Sequence, residues 1–356
     1  MQNFKQTFLI GNMEVGVNCP PLILPDIGTF FNRDMKEAKR LVRTLKDTGC
    51  KIIKGEILHD STICLDDDTE EIYLDNNDKQ VHERYRQLIE RKVVDLQSYE
   101  DLFKLVKELE MEFILSVYDI TGADFAIEQG ACALKIASSN ITHRPLIEYI
   151  AQKNIPMILD TGKSTMEEIS RAISWVLDAG CNELIIEHSP DAPPAPVDNH
   201  NLRFMCALGE IFGVPFGLSD HHNGEEMMVA ATALGASILE TGVCLNKKIT
   251  DQDVRHATEV YKIAEVIKSC NNVYQALGTP YRHLSIERPE PKARMGLVAK
   301  NNLQQNHILS FDDLHFAFPP KGISAADYKD ILGRQLISSV PKGAIIEWSN
   351  VKYATS

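Results

Sequence analysis

Apolar runs of strand length recur along the chain at 21–28 (PLILPDIG), 50–56 (CKIIKGE), 112–119 (EFILSVYD), 134–139 (LKIASS), 156–162 (PMILDTG), 183–189 (ELIIEHS), 215–221 (PFGLSDH) and 237–243 (SILETGV). Each is rich in Ile, Leu and Val and does not alternate strictly, as expected of parallel strands buried on both faces. Amphipathic segments lie between them. Ala38, Leu41, Val42 and Leu45 fall on one helical face, as do Met166, Ile169, Ile173 and Val176, and Ala257, Val260, Ala264 and Ile267. Glycines at 49, 180 and 235 mark helix stops. Eight β/α repeats predict an α/β fold, a (β/α)8 TIM barrel, with an open doubly wound sheet as the competing arrangement.

Three segments stand outside the repeat. Thr7 to Val15 reads as a hairpin that caps the barrel. Cys64 to Asp95, with its DDD and NND clusters followed by a charged helix-like run, reads as an insertion after the second strand, at the barrel mouth. From Thr279, prolines 280, 289 and 291 among charges mark a linker over 279–293. The expected domains are therefore 1–278 and 294–356. In the second, GLVA at 296, Ile308-Leu309, HFAF at 315 and AIIEW at 344 are short strand candidates of a small β-rich module.

With 356 residues, 44% of them hydrophobic, there is ample material for a large core. The net charge of −13 argues against nucleic acid or an anionic membrane as partner. It is unevenly spread: residues 294–356 carry seven Lys/Arg against five Asp/Glu, or +2, which leaves −15 for the rest. Eight cysteines without CxxC spacing, and a first segment unlike a secretion leader, point to the cytoplasm. No apolar run approaches the ~18 residues that span a bilayer.

In a barrel of this kind, function gathers at the C-terminal strand ends. The polar residues there are Asp26, Lys54, Glu56, Ser116, Asp119, Lys135, Ser138, Asn140, Asp160, Thr161, His188, Asp191, Ser219, His221 and Glu240. Lys54 and Lys135 sit inside apolar runs, where a lysine is costly unless it meets an anion. Two readings are open. Either they form a phosphate or carboxylate pocket with Ser116, Ser138 and Ser219, or they pair internally with Asp26, Glu56 or Asp160. His221 is a natural divalent-metal ligand if it faces the barrel axis, and otherwise a hydrogen-bonded structural histidine.

The run from Lys135, KIASSNITHRPLIEYIAQKNIPMILDTGKST, resembles the KIASGEITNLPLL…ILSTGMAT stretch of the sialic acid synthase family. GLSDHHNG at 217 resembles its GYSDHTxG, and ASILETGVCLNKKITDQD at 236 its ATVIEKHFTLDxxxPGPD. The tail, with LGRQLISSVPKGAII at 332, is similar to the antifreeze-like (SAF) domain that closes those proteins. The resemblance implies condensation of phosphoenolpyruvate with an N-acylated hexosamine-like sugar, giving a nonulosonic acid and phosphate. It also implies a divalent cation (Mn or Mg) and a domain-swapped homodimer whose SAF domain covers the partner's barrel.

By position, the resemblance assigns Lys54, Ser116, Lys135, Ser138 and Ser219 to phosphoenolpyruvate, and His221 to the metal and to catalysis. Glu240, Asp253, Asp191 and Phe318 fall at sugar-side positions. Asp26 and Asn140 stand at catalytic positions where the family has glutamate. Further departures are Gly242 for a second metal histidine, carboxylates at Asp160 and Asp191 beside the phosphate, and Phe318 for the SAF arginine. These changes keep a second expectation in play: the same scaffold with altered, metal-independent chemistry, or a catalytically silent sugar-binding paralogue.

Overall fold

In the computed structural model, which describes residues 3–74, 79–190, 194–247, 253–282 and 293–354, eight parallel strands close on themselves. They are Leu22–Asp26, Ile52–Ile57, Glu112–Val117, Ala133–Ile136, Met157–Asp160, Leu184–His188, Phe216–Asp220 and Ile238–Cys244. Each pairs with the next, and the eighth pairs back to the first. Helices such as Met35–Asp47, Met166–Asp178 and Ile263–Leu277 pack outside. This is the (β/α)8 barrel that the eight apolar runs predict.

The strand period of two sorts the side chains. Leu24, Ile52, Ile114, Ala133, Ile158, Ile185 and Ile238 meet in one buried apolar cluster inside the barrel. Phe8, Ile10 and Val15 join the same cluster. They come from the antiparallel hairpin Thr7–Ile10 and Met13–Gly16, which thereby seals the N-terminal end of the barrel. Two residues further along the strands stand Asp26, Lys54, Ser116, Lys135, Asp160, Glu187 and Glu240, so an apolar floor carries a polar layer. The alternate positions, including Ile53, Phe113, Leu134, Leu159 and Ile186, face the helices in the largest core cluster.

Helix starts are set by side-chain caps. Asp34 accepts from the amides of Lys36 and Glu37, Asp95 from Ser98, and Thr165 closes a capping box with Glu168. Ala38, Leu41, Val42 and Leu45 are buried as their spacing predicts. In the Met166–Asp178 helix, Ile169, Ile173 and Val176 are buried but Met166 is exposed. The last helix differs in phase. Val260–Lys262 forms a 3-10 turn, the α-helix begins at Ile263, and Ile263, Val266 and Cys270 make its buried face rather than Ala264 and Ile267.

In the insertion, the charged run expected to be helix-like begins as one strand of a hairpin before it turns helical. Glu70–Leu74 pairs antiparallel with Gln80–Arg84, and only Tyr85–Glu90 is helical. The chain separates into two compact units, Met1–Gly278 and Thr279–Ser356; of the linker, 283–292 lie outside the described residues. The second unit pairs Gly296–Ala299 with Leu314–Ala317 and Arg334–Leu336 with Val351–Tyr353 around Leu297, Leu314, Ile323 and Ile346. Ile308 and Ile345, expected within strands, make only isolated bridges.

Candidate active site

The polar layer is built around two buried ammonium groups. Lys54 Nζ lies 2.7 Å from Asp26 Oδ2, 3.1 Å from Glu56 Oε1 and 3.8 Å from Glu240 Oε1. Lys135 Nζ lies 2.6 Å from Glu187 Oε2, 2.7 Å from Glu240 Oε1 and 3.1 Å from Asp160 Oδ2. Of the two readings open for these lysines, internal pairing is thus realised, and Glu240 bridges both. A charge inside a barrel is tolerated only when paired, and here each cation has three partners.

Five carboxylates surround two lysines, and the balance shows in their protonation. Burial pushes Asp26 up to about 7 against the pull of Lys54, and pushes Glu187 up to about 8 against the pull of Lys135. Burial would raise Glu240 as well, but Lys135 and Lys54 outweigh it and hold that carboxylate below its ordinary value. Asp160 is likewise held low against burial, by Lys135, by the Ser189 hydroxyl donating at 2.6 Å and by the Gly162 amide at 3.0 Å. Burial opposes the charge on both lysines, yet the surrounding carboxylates keep each well above the ordinary lysine value.

A cavity of about 190 Å³ opens over this layer. Asp26, Lys54, Ser116, Lys135, Ser138, Ser219, His221 and Glu240 all line it, so eight of the residues singled out in the sequence converge. The Ser219 hydroxyl donates to Glu240 Oε1 at 3.2 Å, whereas the buried Ser116 hydroxyl has no hydrogen-bond partner among the described residues. Thr29, Phe30, Glu56, Ala137, Asp160, Asp220, Gly242 and His256 complete the wall.

A larger cavity of about 520 Å³ adjoins it and shares Thr29 and Glu56. The insertion flank supplies Ile63, Cys64, Tyr85, Leu88, Ile89 and Lys92, and the strand ends supply Tyr118, Asp119 and Asn140. Its volume falls within the roughly 300–1,000 Å³ usual for small-molecule sites. Tyr118 donates to Glu56 Oε2 at 3.1 Å, and burial raises its phenol well above the ordinary value. Asn140 belongs to this outer cavity rather than the inner one, and its amide donates to the Val117 carbonyl at 3.4 Å.

Other expected site residues lie elsewhere. Asp191 lies outside the described residues, and of Asp253 only the backbone is described, opening a short 3-10 turn. Phe318 belongs to the second unit, where it is exposed. His188 and Asp119, both strand-end polar residues, are structural. His188 Nε2 donates to the His200 carbonyl at 2.7 Å, and Asp119 caps the next helix at the Gly122 amide. Glu187, fully buried, was not among the strand-end candidates; its signal is its place two residues after the interior Ile185, as Lys54 follows Ile52. His256 and Phe30 come from outside the barrel strands and had no such signal.

Residues 41–282 match the NeuB family. The chain belongs to that family. Residues 294–352 match the SAF domain. An N,N'-diacetyllegionaminic acid synthase of Campylobacter jejuni is 27% identical over 88% of this chain and 95% of its own length. A pseudaminic acid synthase of Helicobacter pylori is 27% identical over 89% and 93%. Among solved structures, the N-acetylneuraminic acid synthetase of Leptospira borgpetersenii in complex with citrate superposes with a TM-score of 0.70 at 22% identity, over 80% of this chain and 95% of that one.

The second metal histidine expected by resemblance is Gly242 in this NeuB barrel, and the neighbourhood has closed over the change. A Cβ built on Gly242 would stand 2.7 Å from Phe30 Cζ, so the Phe30 ring fills the space of a larger side chain. His221 lines the inner cavity with a buried Nδ1 that makes no hydrogen bond, and its ring centroid is 4.9 Å from that of His256. Asp26 and Glu56 are engaged on Lys54. Among the described residues, no three His, Cys, Asp or Glu are grouped to hold a metal ion. The described residues do not supply the histidine pair at 221 and 242 that the resemblance implies for a divalent cation.

Proposed function

We propose that this NeuB barrel condenses phosphoenolpyruvate with the aldehyde of an N-acylated hexosamine-like sugar, releasing phosphate and a nonulosonic acid. One observation carries the reading: Lys54, Lys135, Ser116, Ser138, Ser219 and Glu240 converge on one cavity in a barrel whose named relatives are nonulosonic acid synthases. The inner cavity suits the small donor and the adjoining outer cavity the larger acceptor, with Glu56 and Thr29 at their junction.

In this reading C3 of the enol phosphate bonds to the aldehyde carbon, water adds at C2, and the C2–O bond to phosphate breaks. The aldehyde oxygen needs a proton, and Asp26, with its carboxyl pushed up to about 7 by burial, is placed to supply one from its protonated fraction near neutral pH. Asn140 cannot exchange a proton and serves to position the acceptor. No step runs through a metal, because the donor set does not fit one. Asp253, Asp191 and Phe318 remain proposed sugar contacts, the last supplied by a partner subunit in a swapped homodimer. The eight cysteines, all free thiols, support a cytoplasmic setting.

The test is incubation with phosphoenolpyruvate and a panel of N-acylated mannosamine-like sugars, with manganese and with chelator, following phosphate release and keto acid. Phosphate release that persists in chelator is expected. The reading fails if no sugar yields phosphate and phosphoenolpyruvate leaves the melting temperature unchanged.

A further inference from the structure

Lys135 lines the inner cavity, yet three carboxylates already hold it. They are not equivalent. Glu240 also receives the Ser219 hydroxyl and approaches Lys54, and Asp160 receives Ser189 and the Gly162 amide. Among the described residues, Glu187 has nothing else. It is fully buried, neither oxygen makes a well-directed hydrogen bond, and its 2.6 Å approach to Lys135 is a pure ion contact. Unlike Asp160 and Glu240, it does not line the cavity but stands behind the lysine.

A buried carboxylate whose sole partner is one lysine loses that stabilisation when the lysine turns to another anion. Three negative groups and an arriving oxyanion would then share one ammonium. Neutralising Glu187 is the least disruptive resolution, since Asp160 and Glu240 keep donors of their own. We propose that Glu187 is an internal competitor for Lys135, a positioning residue that holds the ammonium when ionised and releases it to an oxyanion when protonated.

Among the described residues, the charged groups that act most on Glu187 are Lys135 from the fourth strand, Glu240 from the eighth and Asp160 from the fifth. The lysine stays charged and the two carboxylates stay ionised across neutral and mildly alkaline pH. Of the groups around Lys135, Glu187, pushed up to about 8 by burial, is the one that changes there, while Asp26 beside Lys54 changes near 7. Oxyanion binding therefore weakens as pH rises through 8, by up to about tenfold per pH unit beyond it. This inference rests on the inner cavity being an anion site, as the proposed condensation requires, but not on the condensation itself.

The probe is sulfate, whose charge is constant over this range, titrated calorimetrically into the full chain at pH 7 and pH 9. Glu187→Gln is close in shape, and its melting temperature reports whether it folds; Asp160→Asn is the second variant. Wild type should lose about tenfold in sulfate affinity between the two pH values. Glu187→Gln should lose most of that dependence, keeping only the smaller part that Asp26 contributes, and Asp160→Asn should bind more tightly while keeping the wild-type pH dependence. Equal pH dependence in wild type and Glu187→Gln overturns the inference, as does absence of sulfate binding in all three proteins. If sulfate behaves as expected but no acceptor yields phosphate from phosphoenolpyruvate, the inference stands and the condensation reading falls.

Discussion

Single side chains decide how far this barrel has moved from its relatives. Gly242 and Phe30 act as a pair, because the ring occupies what a side chain at 242 would need. Gly242→His alone should therefore take up no metal and should cost about 1–3 kcal/mol by overpacking, read from denaturant unfolding. Gly242→His with Phe30→Ala should recover stability relative to the single variant and bind manganese measurably in calorimetry. Protonation is the second lever. Asp26 and Glu187 titrate near 7 and 8 in the fold, against about 4 in an unfolded chain, so the folded state holds more protons between those values. Stability must then fall as pH rises from about 5 to about 8.5. Thermal melts across that interval should show the decline, and Glu187→Gln should flatten its upper part. Much of this chemistry was legible in the sequence, since a lysine inside an apolar run demands an anion. Glu187 was not, because the candidates were read from the ends of the runs, whereas a barrel points inward every second residue along them.

Among the elements, the N-terminal hairpin contributes most for its length. Phe8 and Ile10 are buried against interior residues of seven of the eight barrel strands. Phe8→Ala should cost about 3–5 kcal/mol, measured by urea unfolding, while the polar layer above keeps its geometry. The insertion hairpin behaves differently. Its strands alternate exposed and half-buried residues and contribute no wall to either cavity, so deleting 70–84 should spare the fold. It was hidden in the sequence because hairpin strands exposed on one face carry little apolar signal. The last helix was found but read out of phase, since the 3-10 turn at Val260–Lys262 rotates the face that follows. In the second unit the strands Arg334–Leu336 and Val351–Tyr353 are too short to show a period.

Taken entire, the chain joins an acidic barrel to a small unit of slight positive charge, and both were visible from composition before any coordinate. The proposed swapped homodimer can be weighed by light scattering, where a mass of about twice the 39.9 kDa chain is expected. A monomer at micromolar concentration would remove the partner's Phe318 from the acceptor side. No helix among the described residues is long and apolar enough to cross a membrane. The sealed floor has one more consequence. With Phe8, Ile10 and Val15 closing one end, the inner cavity opens toward the strand ends, where the outer cavity adjoins it at Thr29 and Glu56 like a neck. Whatever fills that neck obstructs what lies beneath. Steady-state patterns should accordingly be compulsory-order, donor before acceptor, with a dead-end inhibitor of the outer cavity slowing escape of the donor instead of competing with it.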